Sequence, residues 1–360
     1  MMGASVYPPK KKLCVKHSYE YKHKPRRLGE SMGIFVPSGY PVGEFSYVDM
    51  QRAYASDMIN EKGKSRLTDY RTNTYFCPSM YSLLSETDKI EHSFSTFSEA
   101  TMTSGVSLAP LLAEEWEKLG YSCAYAHIAK GSIRIAHYMT DDMATEYGHR
   151  MAEFNRAHNT CFEEKIPPEH RMVGAADYFL KKCKDFFADA DIEFPNDDMS
   201  MRCFFWLQGE GDADNATIEY ETKLEILWDK LKEIGFTHFF CIRVDFFGVP
   251  EIVSVMEAQE RFTKKCDDAY MLTRAASYFT YAQRNEDDWF ISPPEEEYKF
   301  CRDSFYGYEN QHINEKGFSV IAKHAVKNLC RVLIDGKEPI LEVENIKHLK
   351  VMENSFLEDL

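Results

Sequence analysis

The stretch Trp206-Leu207-Gln208-Gly209-Glu210-Gly211-Asp212 decides how this chain is read. The apolar run Met201-Arg202-Cys203-Phe204-Phe205 precedes it and reads as a buried strand. An amphipathic helix is expected after it, from about Asn215 to Ile234. A strand that ends in a glycine-bearing polar turn and then enters a helix is where α/β proteins gather their chemistry. The strand's carboxyl end and the helix's positive amino end there face one crevice. Gly209 and Gly211 allow backbone geometry that a Cβ would hinder, and Gln208 offers an amide donor to a developing negative charge.

Outward from this stretch, the pattern alternates. On the amino-terminal side, Leu108, Leu111, Leu112, Trp116 and Leu119 are spaced for one helix face, ended by Gly120. Ser122 to Ile128 reads as a strand running into Ala129-Lys130-Gly131-Ser132, and Ala175 to Ala188 as a helix. Thr140 to Glu164 is polar and reads as an irregular excursion. On the carboxyl-terminal side come a strand from His238 to Val244, a helix from Ile252 to Lys265 and a strand from Ala269 to Thr273. A last helix is expected from Gly317 to Leu333, with Phe318, Ile321, Ala325, Leu329 and Val332 on one face.

Strands alternating with helices from Ser104 to Leu333 predict an α/β protein with a parallel, doubly wound sheet. Before Gly33 the one strand candidate is Leu13-Cys14-Val15, and Ile34-Phe35-Val36 is a brief extended piece that ends in the turn Pro37 to Pro41. Tyr47 to Ser98 shows little periodicity and reads as a long excursion with short helices. The expected organisation is one domain over residues 1–335, with an irregular excursion near 40–100, and a carboxyl-terminal extension over 336–360.

A formal net charge of −15 argues against a nucleic-acid backbone as partner and is easier to reconcile with a neutral or locally cationic small substrate. The basic cluster from Lys10 to Arg27 reads as a solvated face. Ten cysteines without a C-x-x-C pair, several inside apolar runs, read as free thiols in a reducing compartment. No apolar signal core or membrane-length run occurs, so a cytoplasmic location without membrane attachment is expected. His127, His137 and His149 lack a metal-ligand spacing, so no metal is expected. Trp206 and Trp228 read as core, and Asp212 with Glu210 as carboxylates that hold the turn by bonding backbone donors.

The Trp-Leu-Gln-Gly-Glu-Gly-Asp block resembles the W-x-Q-G-E-x-D block of sialate O-acetylesterase-like carbohydrate esterases, a branch of the SGNH/GDSL hydrolase superfamily. Two further blocks resemble that family in order. Ala129-Lys130-Gly131-Ser132 is similar to the block whose glycine N–H faces the scissile carbonyl oxygen. Glu309-Asn310-Gln311-His312 is similar to its late D-x-x-H, with glutamate in place of aspartate.

The resemblance implies a flavodoxin-like three-layer α/β/α sandwich around a central parallel sheet. It also implies a serine esterase that removes O-acetyl groups from a carbohydrate or a similar small acyl ester. His312 would be the base, Glu309 its orienting acid, and Gly131 and Gln208 the oxyanion donors, beside Gly209 and Glu210.

The nucleophile stays open between two serines. Gly29-Glu30-Ser31-Met32 keeps the family's G-x-S, whereas Lys16-His17-Ser18-Tyr19 follows the Leu13-Val15 run; Ser38 is a third candidate. An acyltransferase would use the same residues. A carbohydrate-binding or scaffold protein on a degenerate hydrolase fold is the competing class, and the sequence leaves the oligomeric state open.

Overall fold

The computed structural model describes residues 108–119, 134–193, 201–244, 252–279, 313 and 315–341, together with the backbone of five strands nearer the amino terminus. Those strands are β1 (Ser31–Val36), β2 (Tyr40–Glu44), β3 (Asn73–Tyr75), β4 (Phe94–Thr96) and β5 (Cys123–His127). Helix α1 (Leu108–Lys118) precedes β5, and α2 (Asp141–His158) and α3 (Ala175–Glu193) follow it. The chain then alternates through β6 (Cys203–Leu207), α4 (Thr217–Ile234), β7 (His238–Ile242), α5 (Val253–Lys265) and β8 (Ala269–Thr273). It continues with α6 (Ala275–Phe279) and α7 (Glu315–Leu333).

Strands β6, β7 and β8 are parallel neighbours, with Phe204 opposite Phe239 and Phe240 opposite Tyr270. Each of their two connections carries a helix, as parallel pairing requires. Every residue of β6 is buried, which is what a strand covered on both faces shows. The period-two alternation divides its side chains between those faces. Phe204 and Trp206 join Phe239, Cys241, Ala269 and Met271 in one core cluster with α2, α3, α4 and α5. Phe205 and Phe240 meet at a tilt on the opposite face, 5.4 Å between ring centroids. Helix α7 packs on β8, and α1 packs on α7.

The first cluster is largely aromatic. Phe239 receives the edges of Trp228 at 5.6 Å and Phe262 at 4.9 Å, while Tyr138 meets Phe179 at 5.4 Å and Trp206 at 5.6 Å. Tilted and edge-on geometries place a ring's positive rim over a neighbour's negative face. Trp206 and Trp228 are therefore core residues, 0% and 1% exposed.

The strands and helices expected from Leu108 onward are present within a few residues of their anticipated bounds, with one exception. Residues 140–164 are not an irregular excursion: Asp141–His158 forms α2. Its buried residues are Met143, Tyr147, Met151 and Asn155. They recur every fourth position, one per turn, so the stripe is narrow and the surrounding charge hides it. The helix ends on Asn159 in the left-handed region at φ 53°, a conformation asparagine tolerates.

The sheet also differs from a fully parallel one. β1 runs antiparallel to β6 on the side away from β7, and antiparallel to β5 on its other side. Three residues separate β1 from β2, too few for the crossover helix that parallel strands need. Tyr40 and Pro41, expected in a turn, belong to β2. Within the expected excursion of 40–100, the described elements are strands. Leu13-Val15 lies outside the described residues.

Six cysteines are described, all as free thiols: Cys183, Cys203 and Cys241 are buried, Cys266 and Cys330 half-buried, and Cys161 exposed. After α7 the chain does not leave the body at once. Asn328 on α7 accepts from the Ile340 N–H at 2.8 Å and donates to the Ile340 carbonyl at 3.1 Å. No helix among the described residues is long and apolar enough to cross a membrane.

Candidate functional site at the carboxyl ends of the parallel strands

At the end of β6 the backbone turns sharply. Gly209 has φ +156°, and a Cβ there would lie 2.6 Å from Val255 Cγ1 and 3.3 Å from Val244 Cγ1. Only glycine lets β6 pass this close to α5 and the end of β7. A 3₁₀ turn, Glu210–Asp212, follows, with half-buried Glu210 at its first position.

Gln208 is fully buried, and both ends of its amide are bonded inside the protein. Its Nε2 donates to Asp212 Oδ2 at 2.8 Å, and its Oε1 accepts from the Tyr220 hydroxyl at 2.7 Å. The Gln208 carbonyl accepts from Gln259 Nε2 at 2.7 Å, and Gln259 Oε1 accepts the Val244 N–H at 3.0 Å. Trp206 Nε1 donates to the Tyr220 oxygen at 3.1 Å. Buried polar atoms must find partners or incur the cost of lost hydration. Here they find one another across the ends of two adjacent strands and two helices.

Asp212 anchors the outer part of this network. Its Oδ2 accepts the Ile135 N–H at 2.8 Å in addition to Gln208, and its Oδ1 accepts from Asn215 Nδ2 at 3.2 Å. Asp212 thus holds the turn through a backbone donor, as the sequence suggests. Asn215 Oδ1 accepts from the buried ammonium of Lys223, which also lies 5.1 Å above the Tyr147 ring. Burial pushes the Asp212 carboxyl up, against the pull of Lys223 and of the Ile135 and Gln208 donors. Burial likewise pushes the Lys223 ammonium down, against Asp212 and Glu219.

At the rim, Arg134 grips exposed Asp214 with two bonds of 2.7 and 2.9 Å. Partial burial alone would raise the Asp214 carboxyl, but the Arg134 fork outweighs it and holds the group below its ordinary range. Glu219 reaches back to the Ala216 N–H at 2.9 Å and fastens the first turn of α4.

A second knot sits at the ends of β7 and β8. Glu260 on α5 accepts both Arg274 nitrogens at 2.6 Å and Arg243 Nη1 at 3.1 Å. Arg243 Nε donates to Ser277 Oγ at 2.7 Å. Burial would raise the Glu260 carboxyl; the two guanidinium groups reverse this and lower it. Beside it, Thr273 Oγ1 meets His324 Nδ1 at 2.7 Å. Burial, reinforced by Lys327, drives the His324 imidazole down to about 4.

Of the residues singled out in the sequence, the structure brings Ser31 and the Gln208 turn together. Ser31 opens β1, and its Cα register is opposite Leu207, one residue before Gln208. Because β1 runs against β6, its amino end lies at the carboxyl end of β6. Ser18, Ser38, Gly131, Glu309 and His312 lie outside the described residues. The next residue after His312, Ile313, is buried, two positions before α7 begins.

Tyr220, Lys223, Gln259, Arg243 and Glu260 were not singled out. For Gln259 a signal exists: it occupies the apolar stripe of α5 between Val255 and Phe262, where a polar residue needs a buried partner. Among the described residues no group of three or more His, Cys, Asp or Glu is placed to hold a metal ion. No protein-family model matches the chain, and no curated protein matches it.

Proposed function

We propose that this chain is a serine esterase of the SGNH type that removes O-acetyl groups from a carbohydrate, on a three-layer α/β/α sandwich. The observation that carries this reading is the register of Ser31 opposite Leu207, which brings a serine backbone beside the Gln-Gly-Glu turn at the carboxyl end of β6. Burial of both faces of the parallel strands supports the sandwich. The resemblance of the Gly131, Gln208 and His312 blocks supports the chemistry.

In this reading Ser31 attacks the acetyl carbonyl as His312 takes its proton, and the ester C–O bond then breaks as the imidazolium returns that proton to the leaving sugar oxygen, with Glu309 orienting the imidazole. The bonded amide of Gln208 serves as a positioning group for the turn, and backbone N–H groups, that of Gly131 among them, receive the oxyanion. Water then releases acetate; a sugar hydroxyl in its place would make the same site an acyltransferase. The acetylated carbohydrate is the partner, and no cofactor takes part.

A specific observation favours a second reading, a carbohydrate-binding or scaffold protein on an inherited hydrolase fold. Gln208 is 0% exposed and bonded at both ends of its amide, the state of a structural residue. Hydrolysis of a chromogenic acetate ester by the wild type, Ser31→Ala, Ser18→Ala and His312→Ala separates the two. The esterase reading expects a loss of about a thousandfold or more in His312→Ala and in Ser31→Ala, with Ser18→Ala near wild type. Wild-type turnover equal to His312→Ala, on this ester and on an acetylated sugar, selects the binding protein.

A further inference from the structure

We propose that the outer edge of β8 is a docking site for an extended, lysine- or arginine-bearing peptide, which adds to the sheet as a strand. A cleft of about 670 Å³ borders this edge, and Glu260 of the knot at the ends of β7 and β8 is among its lining residues. Its lining includes Thr263 and Lys264 of helix α5, Glu338 and Leu341 of the segment after α7, and Ala269 and Met271 of β8.

Three features make this a strand's place. First, β8 stands at the end of the sheet order, with β7 as its strand partner among the described residues. The Asp268 carbonyl accepts from the Phe239 N–H of β7 at 2.8 Å. Strand alternation then turns the Ala269 carbonyl and both the N–H and the carbonyl of Met271 away from β7, toward the cleft, while the Ala269 N–H donates to the Cys266 carbonyl at 3.3 Å.

Second, the edge has a defined stop. The β7–β8 register shifts between Cys241 and Ile242, which breaks the alternation after Met271, and there the Leu272 carbonyl accepts Asn328 Nδ2 at 2.7 Å, while the same side chain pairs with Ile340 as a neighbouring backbone would. The protein therefore closes both ends of the edge, with Cys266 on the Ala269 N–H and Asn328 on the Leu272 carbonyl, and leaves the Ala269 carbonyl and the Met271 N–H and carbonyl facing the cleft. Native sheets cover or charge their edges where pairing is unwanted.

Third, the rim is acidic. Asp267, Asp268 and Glu338 are exposed along it, against the single cation Lys264. The Tyr270 hydroxyl registers this field: burial first, and then these three carboxylates, push it up. A backbone that pairs with Ala269 and Met271 gains affinity from main-chain bonds. Basic side chains on it meet the rim, which sets the preference for charge.

The probes are three fluorescein-labelled hexapeptides: alternating Lys-Val, alternating Glu-Val, and alternating Lys-Val with N-methylated valines. Fluorescence anisotropy is read on the full chain and on Asp267→Lys/Glu338→Lys, a variant of two exposed positions, with near-ultraviolet circular dichroism as the check on its fold. Saturable binding of the unmodified Lys-Val peptide is expected. It should weaken by about tenfold or more on N-methylation, in the Glu-Val peptide and in the double variant. Equal affinity of the methylated peptide would reduce the site to charge attraction and overturn strand addition. Undiminished binding to a folded double variant, or no saturation up to millimolar peptide, overturns the proposal as well. Acetate-ester turnover does not enter this experiment, so its outcome is independent of the esterase reading.

Discussion

The ends of β6 and β7 both bury ionisable groups, and they treat them in opposite ways. After β7, the Glu260 carboxylate meets two guanidinium groups directly, at 2.6 to 3.1 Å, and its carboxyl is lowered although it is buried. After β6, Asp212 and Lys223 are both buried, but Asn215 stands between them as a hydrogen-bonding intermediary. There desolvation prevails, and each group is pushed toward its neutral form. The difference teaches that burial alone does not fix the direction of a carboxyl's shift. What decides is whether a full opposite charge or an amide dipole occupies the first bonding position.

The largest effect expected from breaking this contrast is at Glu260. Glu260→Gln takes the carboxylate away from the buried Arg243 guanidinium, and a loss of about 3–5 kcal/mol in urea unfolding is expected. Its carboxyl has a folded value below 4.5, so its contribution is present above that pH and fades as the pH falls through the folded value.

The His324 imidazole at the end of β8 tests burial without a countercharge. Its folded value is about 4 against 6.5, so the unfolded chain binds a proton first as acid is added. Stability should fall by about 3 kcal/mol between pH 6.5 and 4, and His324→Gln should remove that slope from the unfolding profile.

The smallest effect is at Asp212. Asp212→Asn keeps an acceptor for the Ile135 N–H while losing the attraction of Lys223, and about 1–2 kcal/mol is expected from the same unfolding assay. Because its folded carboxyl lies above 3.8, its contribution is fully present below that pH and declines as the pH rises through the folded value. That slope is opposite in sign to the one at Glu260. Parallel slopes for the two variants would remove the contrast.

Much of the fold was legible because helix and strand periods survive in local sequence. Ala269–Thr273 and the helices around Trp228 and Phe262 declare themselves through apolar spacing. α2 does not, since one buried residue per turn among charges is a weak period. The direction of β1 was hidden for a different reason: strand alternation looks the same in parallel and antiparallel pairing.

At the candidate site, the sequence marked Gly209 and Asp212 as turn residues, and the structure supplies the reason in Val255, which a Cβ at Gly209 would meet at 2.6 Å, and in the bond to Ile135. It marked Gln208 as an outward donor. What ties the residue inward are Tyr220 and Gln259, which lie 12 and 51 positions away along the chain. Partnerships at that separation are a property of packing, and residue type does not reveal them.

The buried thiols of Cys203 and Cys241 give the molecule an internal stopwatch. Alkylating reagents attack the thiolate, and burial pushes both groups far from ionising. Neighbouring strands carry them, so they become reactive when β6 and β7 part from their surroundings. Cys161 on the surface reacts throughout and serves as the reference. Pulsed alkylation followed by peptide mass spectrometry would then count openings of the central sheet in the unmodified protein, with no probe engineered into it.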